Sequence, residues 1–303
     1  MTVDLIWPFL LIGLASGGVY ALMGCGIVLA YRASGYLHIA HAGIAMVSAF
    51  AYVIMTRWMP VGVAMALALI IGTAISAGLY VLVFARLENA SMAAKVTVSV
   101  ACGVGLQAFG GFLLISFGLL DGSRRGSVSL FSETSRYTFF GASVNAQQLA
   151  LPVLALVVFA LLQYGLHHTD LGLALRASSQ NPTSAALAGL PAGAVTVTAW
   201  AITGTLAGLV GVLSIAATSF LVPTYLFAET VRGLAAALTG AFVDLRRTVI
   251  AAFVLGVLEQ ELVGFDAPWN AMRGALSFAL ITVVAIFGLS RQLDRSGRAG
   301  AVS

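Results

Sequence analysis

Long apolar runs separated by short polar gaps dominate the chain. They occupy Leu5–Tyr31, Ala40–Trp58, Val61–Ala85, Val96–Leu120 and Gln148–Leu166. After a polar interval come Val195–Ser219, Tyr225–Val243, Thr248–Phe265 and Ala271–Leu289. A helix needs about 20 apolar residues to cross the hydrocarbon core. The pattern therefore predicts an all-α integral membrane protein, a polytopic bundle of about eight to ten transmembrane helices. Barrel strands alternate apolar and polar positions, and these runs are too long and too uniformly apolar for that. Some crossings read as broken or re-entrant, because Gly24, Gly26 and Gly35 weaken the first run and Pro223 marks the start of the seventh.

Composition agrees with a lipid-facing surface. Apolar residues make up 60% of the chain and charged residues only 9%, against roughly 25% charged in soluble domains. The formal net charge of +4 sits in short gaps between apolar runs, which reads as insertion topology and not as a nucleic-acid patch. Cys25 and Cys102 lie singly inside apolar runs, with no metal spacing and no disulfide framework. The first run lacks preceding basic residues and is too long for a cleavable signal segment.

Charge placement predicts the orientation. Arg32, Arg86, Lys95, Arg176, Arg246, Arg247, Arg291, Arg295 and Arg298 all become cytoplasmic if the N-terminus is outside and there are nine crossings. The loop of about 121–147 is then external despite Arg124, Arg125 and Arg136, a tension that Asp121 and Glu133 offset only in part. Glycines at helix-packing spacing, Gly13 with Gly17 and Gly204 with Gly208 and Gly211, predict close helix approaches.

The polar interval of about 169–191, TDLGLALRASSQNPTSAALAGLP from Thr169, interrupts the apolar series. Asn181-Pro182 reads as a helix start, with Asn181 as N-cap and Pro182 at the first helical position. Ala185 lies inside the short helix and Gly189 ends it. Two readings stand: a connecting loop, or a cytoplasmic helix that docks into a groove on a soluble partner.

These residues closely resemble the cytoplasmic coupling segment of ATP-driven importer permeases of the branched-chain amino acid type, the LivH-like proteins. Three further blocks agree: GVYALMGCGIVLAYRASGYLHIAHAG, FARLENASMAAKVTVSVACGVGLQ and GLAAALTGAFVDLRRTVIAAFVLGVLE. The match covers most of the chain in order and spacing. Departures are His38 for an asparagine, Ala42 for a glycine, Leu87 directly after Arg86 without the usual proline, and Gly240-Ala241 in place of Gly-Gly.

The resemblance implies one transmembrane permease domain over 1–303, multi-pass in a bacterial inner membrane. It implies a second related permease subunit, two ATP-binding subunits holding ATP and Mg, and an external solute-binding protein. Leu171, Gly172, Arg176, Asn181, Pro182, Ala185 and Gly189 would carry ATPase motion into the helices by alternating access. The solute would be a branched-chain amino acid or a related small solute, with urea and short amides as alternatives. A phosphate-binding loop needs a Gly-Lys-Ser/Thr sequence; the single lysine, Lys95, lies between Ala94 and Val96, so no ATPase site is expected in this chain.

The remaining candidates come from single residues. His38 and His41, three apart, are expected to share a helix face; they either line a polar cavity or make contacts at the helix start, and as a metal pair they lack a third ligand. Gln107 sits mid-span, bonding a neighbouring helix or lining the path. Tyr20 and Thr205 complete the expected solute path. Glu229 and Arg232, at the external start of the seventh span, form an external gate or simply neutralise each other. Glu259 and Glu261 read as interfacial, and His167 and His168 lie at a membrane exit. A secondary transporter driven by an ion gradient would normally place a carboxylate at mid-span, and none lies at the centre of a run. No Ser-His-Asp order, no His-Glu-x-x-His zinc site and no paired intramembrane aspartates occur, so the sequence does not support an enzyme.

Overall fold

The computed structural model describes residues 3–118, 136–139, 142–218, 225–264, 272 and 274–284. The chain builds α1 (Val3–Ser34), α2 (His41–Met55), α3 (Val61–Leu82), a 3-10 turn (Phe84–Leu87) and α4 (Met92–Ser116). A hairpin of β1 (Arg136–Phe139) and β2 (Ala142–Asn145) precedes α5 (Ala146–His168), α6 (Asp170–Gln180) and α7 (Pro182–Leu187). Then come α8 (Ala192–Thr218), α9 (Tyr225–Thr239), α10 (Leu245–Glu261) and a short α11 (Ala275–Val284).

Each predicted run contains a helix, as expected for a polytopic bundle. Among the described residues, five helices are long and apolar enough to cross a membrane: Trp7–Ser34, Val61–Leu87, Met92–Ser116, Gln148–His168 and Gly193–Ile215. The others are shorter: α2 and α9 have 15 residues and α10 has 17. Enclosure accounts for the short α2, since all but its last residue are buried. A helix surrounded by other helices need not match the lipid thickness, because its ends meet protein.

The expectation that glycines break the first run is corrected. α1 is continuous through Gly24 and Gly26, because both are places of close approach. A Cβ on Gly26 would lie 2.5 Å from the His41 ring, and one on Gly24 would lie 2.7 Å from the Thr248 methyl. Gly35, at φ +76, ends α1, and its N–H bonds the Tyr31 carbonyl at 2.7 Å, the usual glycine helix stop.

The predicted small-residue seams are real. α1 and α10 run antiparallel, with Gly13 against Val257 and Gly17 against Phe253. On α8, Gly204 meets Gly72 of α3, and Gly211 meets the Ala45 carbonyl of α2. Two layers result. The spans in α1 and α8 are 78% and 67% buried, and those in α3, α4 and α5 only 22%, 22% and 17%.

Local chemistry fixes the connections. Asn145 and Gln148 form a reciprocal cap that starts α5. Asp244 caps α10 by accepting from the N–H groups of Arg246 and Arg247 at 2.9 and 3.1 Å. Between α9 and α10, Ala241 and Phe242 take φ of 50 and 58, a left-handed conformation that favours glycine. The hairpin pairs Arg136 with Asn145, a small β element within the loop expected to be external. Asp121, Arg124, Arg125, Glu133, Pro223, Arg291, Arg295 and Arg298 lie outside the described residues.

Candidate functional site

The polar interval folds into a corner of two capped helices. Thr169 starts α6, a helix that sequence reasoning did not separate from the loop. Its side chain accepts from the Gly172 N–H at 3.1 Å and donates to the Gly165 carbonyl at 2.6 Å. Gly172 is pressed against the Gly165 and Leu166 carbonyls, where a Cβ would collide, so α6 can fold back on the end of α5. The overlooked signal is Thr-Asp-Leu-Gly, a cap residue followed by an acidic first turn.

Asn181 serves two helices. Its N–H closes α6 on the Ala177 carbonyl at 3.0 Å, and its side chain accepts from the Ser184 N–H at 2.9 Å. It is thus the N-cap expected, with Pro182 opening α7. Gly189, at φ +80, ends the corner, and the Leu190 N–H bonds the Ala185 carbonyl at 3.1 Å. Ala185 is buried, while Leu171, Leu173 and Leu187 are exposed, Leu187 to 85%. Arg176 reaches His167, with Nη1 3.1 Å from Nδ1. The corner therefore offers apolar side chains on a frame held by backbone caps.

A second polar site lies inside the bundle. Glu229 and Arg232 pair as their spacing predicts, at 3.1 Å. Arg232 Nε also lies 2.8 Å from Glu259 Oε2. Tyr20 donates its hydroxyl to that same oxygen at 2.8 Å, and Ser277 donates to Glu259 Oε1 at 2.8 Å. The guanidinium sits 5.5 Å from the Tyr20 ring centroid. Glu229 and Glu259 are 2% and 1% exposed. The interfacial reading of Glu259 is thus corrected: it is the hub of a knot joining α1, α9, α10 and α11. Helical spacing held the signal, since Thr248, Ala252, Leu255 and Glu259 fall on the buried face of α10. Glu261 lies off that face and is partly exposed. A buried charge is tolerated only when paired and hydrogen-bonded, and the knot supplies both.

The histidines do not share a helix face, because His38 lies in the turn before α2 and only His41 is helical. Both are fully buried. Their ring centroids are 5.9 Å apart, and His38 packs on Trp200 at 4.1 Å. Among the described residues their ring nitrogens have no hydrogen-bond partner, and no group of three metal-ligating side chains forms. Of the two readings for these histidines, the pocket beside His38, about 130 Å³, does not match the polar-cavity one: it is apolar, walled by Ile27, Phe227 and Leu234. The turn is anchored by Ser99, which accepts from the N–H groups of Ile39 and Ala40 at 2.8 and 3.2 Å.

The expected path residues thus fall in different places. Tyr20 belongs to the glutamate–arginine knot. Thr205 lies 2.7 Å from Thr73 in the seam of α3 and α8. Gln107 is half-buried on α4.

The family model and the curated relatives agree on one kind of molecule. A family model described as "Branched-chain amino acid transport system / permease component" matches residues 9–285. The high-affinity branched-chain amino acid transport system permease protein LivH of Salmonella typhimurium is 23% identical over 286 residues, covering 90% of each chain. The LivH protein of Escherichia coli strain K12 is 22% identical over the same length and coverage. Among solved structures, PsaBC from Streptococcus pneumoniae in complex with Fab matches with a TM-score of 0.53 at 13% identity, covering 92% of this chain and 90% of that one. That last likeness concerns the fold alone.

Proposed function

Since the chain belongs to the permease components of branched-chain amino acid transport systems, we propose that it forms half of a solute pathway worked by ATP-binding subunits docked at the α6–α7 corner. A second permease subunit completes the pathway, and an external solute-binding protein delivers the cargo. Branched-chain amino acids are the solute class this reading favours, because the LivH relatives are named for them.

The observation that carries the reading is the corner itself. A docking handle must move as a unit, so that a push on it displaces the helices beyond. Here backbone caps at Thr169, Asn181 and Gly189 hold the frame, and Leu171, Leu173 and Leu187 stay exposed. Three exposed leucines close together on a polar segment outside the spans suit a partner groove. Leu171, Gly172, Arg176, Asn181, Pro182, Ala185 and Gly189 would form this handle, and motion passes from α6 to α5 and α8. In this orientation the N-terminus is external and the corner cytoplasmic.

The test is co-purification of the ATP-binding subunits with the full chain, followed by solute-stimulated ATP hydrolysis in vesicles. Leu187→Asp is expected to reduce both at least tenfold, about the cost of placing a charge in an apolar groove, without moving the unfolding midpoint. Uptake driven by a proton gradient in the absence of ATP would overturn the reading.

A further inference from the structure

At the end of the bundle that carries α6, a notch of about 650 Å³ opens between the end of α1, the 3-10 turn, the start of α4 and α6. Arg32, Lys95 and Arg176 all line it, against a single carboxylate, Glu88. Among the described residues none of these three cations forms an ion pair within 4.0 Å, although the Asp244 carboxylate is close enough to Arg32 to offset part of its charge. Lys95 Nζ donates to the Glu88 carbonyl at 2.8 Å and sits 5.8 Å from the Tyr36 ring centroid. Arg176 Nε has no acceptor.

An independent observation comes from Tyr36. It lines the same notch and is 4% exposed, yet its hydroxyl has no hydrogen-bond partner among the described residues. The neighbouring Ser34 donates its proton to the Ala30 carbonyl at 2.7 Å and stands beside the Tyr36 hydroxyl with its lone pairs free, but no well-aligned hydrogen bond joins the two. Burial pushes the Tyr36 phenol up from its ordinary value, so the group stays a neutral donor. The notch therefore combines excess positive charge with a buried phenol donor that has no well-aligned acceptor. What fits is an anion with several acceptor oxygens. A phosphate matches the planar fork of arginine and the point charge of lysine.

We propose that this notch binds a phosphate group, supplied by the headgroup of an anionic phospholipid. A lipid is the source argued here because the notch lies at the ends of membrane-crossing helices and is lined by the partly exposed Tyr31 and Tyr80. Tyrosines favour the headgroup level, and basic pockets between transmembrane helices hold anionic headgroups. The volume admits a phosphate with its glycerol. The inference does not depend on which solute the protein carries.

The test uses the full chain, purified with its partner subunits and stripped of lipid in neutral detergent. Native mass spectrometry follows retention of phosphatidylglycerol and, separately, phosphatidylcholine, each with and without millimolar inorganic phosphate. Phosphatidylglycerol is expected to bind in preference to phosphatidylcholine and to identify lipid as the source. Equal lipid retention with saturable inorganic phosphate binding, lost in the same variants, would retain the phosphate site and assign it a soluble source.

Lys95→Gln and Arg32→Gln should each weaken binding about fivefold. Tyr36→Phe should weaken it by about fivefold with at most a small fall in the unfolding midpoint, because the hydroxyl makes no well-aligned bond within the fold. Arg246→Gln, an exposed cation outside the notch, serves as control. Three results would each overturn the proposal: no binding of either probe, equal losses in Arg246→Gln, or a cross-link from Ser179→Cys into an ATP-binding subunit that excludes phosphatidylglycerol.

Discussion

Helices α2 and α4 are neighbours of similar apolar character with opposite surroundings. α2 is enclosed almost completely, whereas α4 buries only Ser99, Gly110 and Leu114. The same division separates α1 and α8 from α3, α4 and α5. In water, apolar side chains point inward and polar ones outward. In lipid both sides of a helix can be apolar, so hydropathy loses its power to tell core from surface. What marks the inner layer is small residues at seams, as at Gly13, Gly17, Gly204 and Gly211, and polar groups with partners, as at Arg232 and Glu259.

The contrast can be tested in descending order of effect. The largest is expected from Arg232→Met. It strips the guanidinium from Glu229 and Glu259 and leaves two buried carboxylates facing each other, at a cost of about 3–5 kcal/mol. Thermal unfolding of the full chain in detergent reads this out, and an unchanged midpoint would show that the knot is not structural. Met46→Ala comes next. Met46 is 1% exposed on α2, and truncation there leaves a cavity worth about 2–4 kcal/mol. The smallest is Phe112→Ala on α4. Phe112 is 61% exposed, and the expected change is about 0.5 kcal/mol or less. If Phe112→Ala destabilises as much as Met46→Ala, α4 is not lipid-facing and a protein neighbour covers it.

Much of the α6–α7 corner was legible because caps are local. Asn181, Pro182 and Gly189 act within a few residues of themselves, so their roles follow from sequence order. The α6 helix escaped notice because its apolar content is modest and its start rests on a single threonine. The Glu229–Arg232 pair was legible at helical spacing, but its third member was not. Glu259 is 27 positions beyond Arg232, and Tyr20 is 239 positions from Glu259. His38 and His41 show the converse error. Their spacing suggested one helix face, but a turn intervenes and Trp200, from a distant helix, decides what His38 touches.

The sequence by itself determined the number and placement of the apolar helices, the caps of the polar corner and the glycines that permit close seams. Each of these depends on interactions within one or two turns of chain. Only the tertiary structure decided which apolar helices lie inside, that Glu259 is a hub and that Arg32, Lys95, Arg176 and Tyr36 share a notch. Those outcomes join segments far apart along the chain, and only packing brings them together.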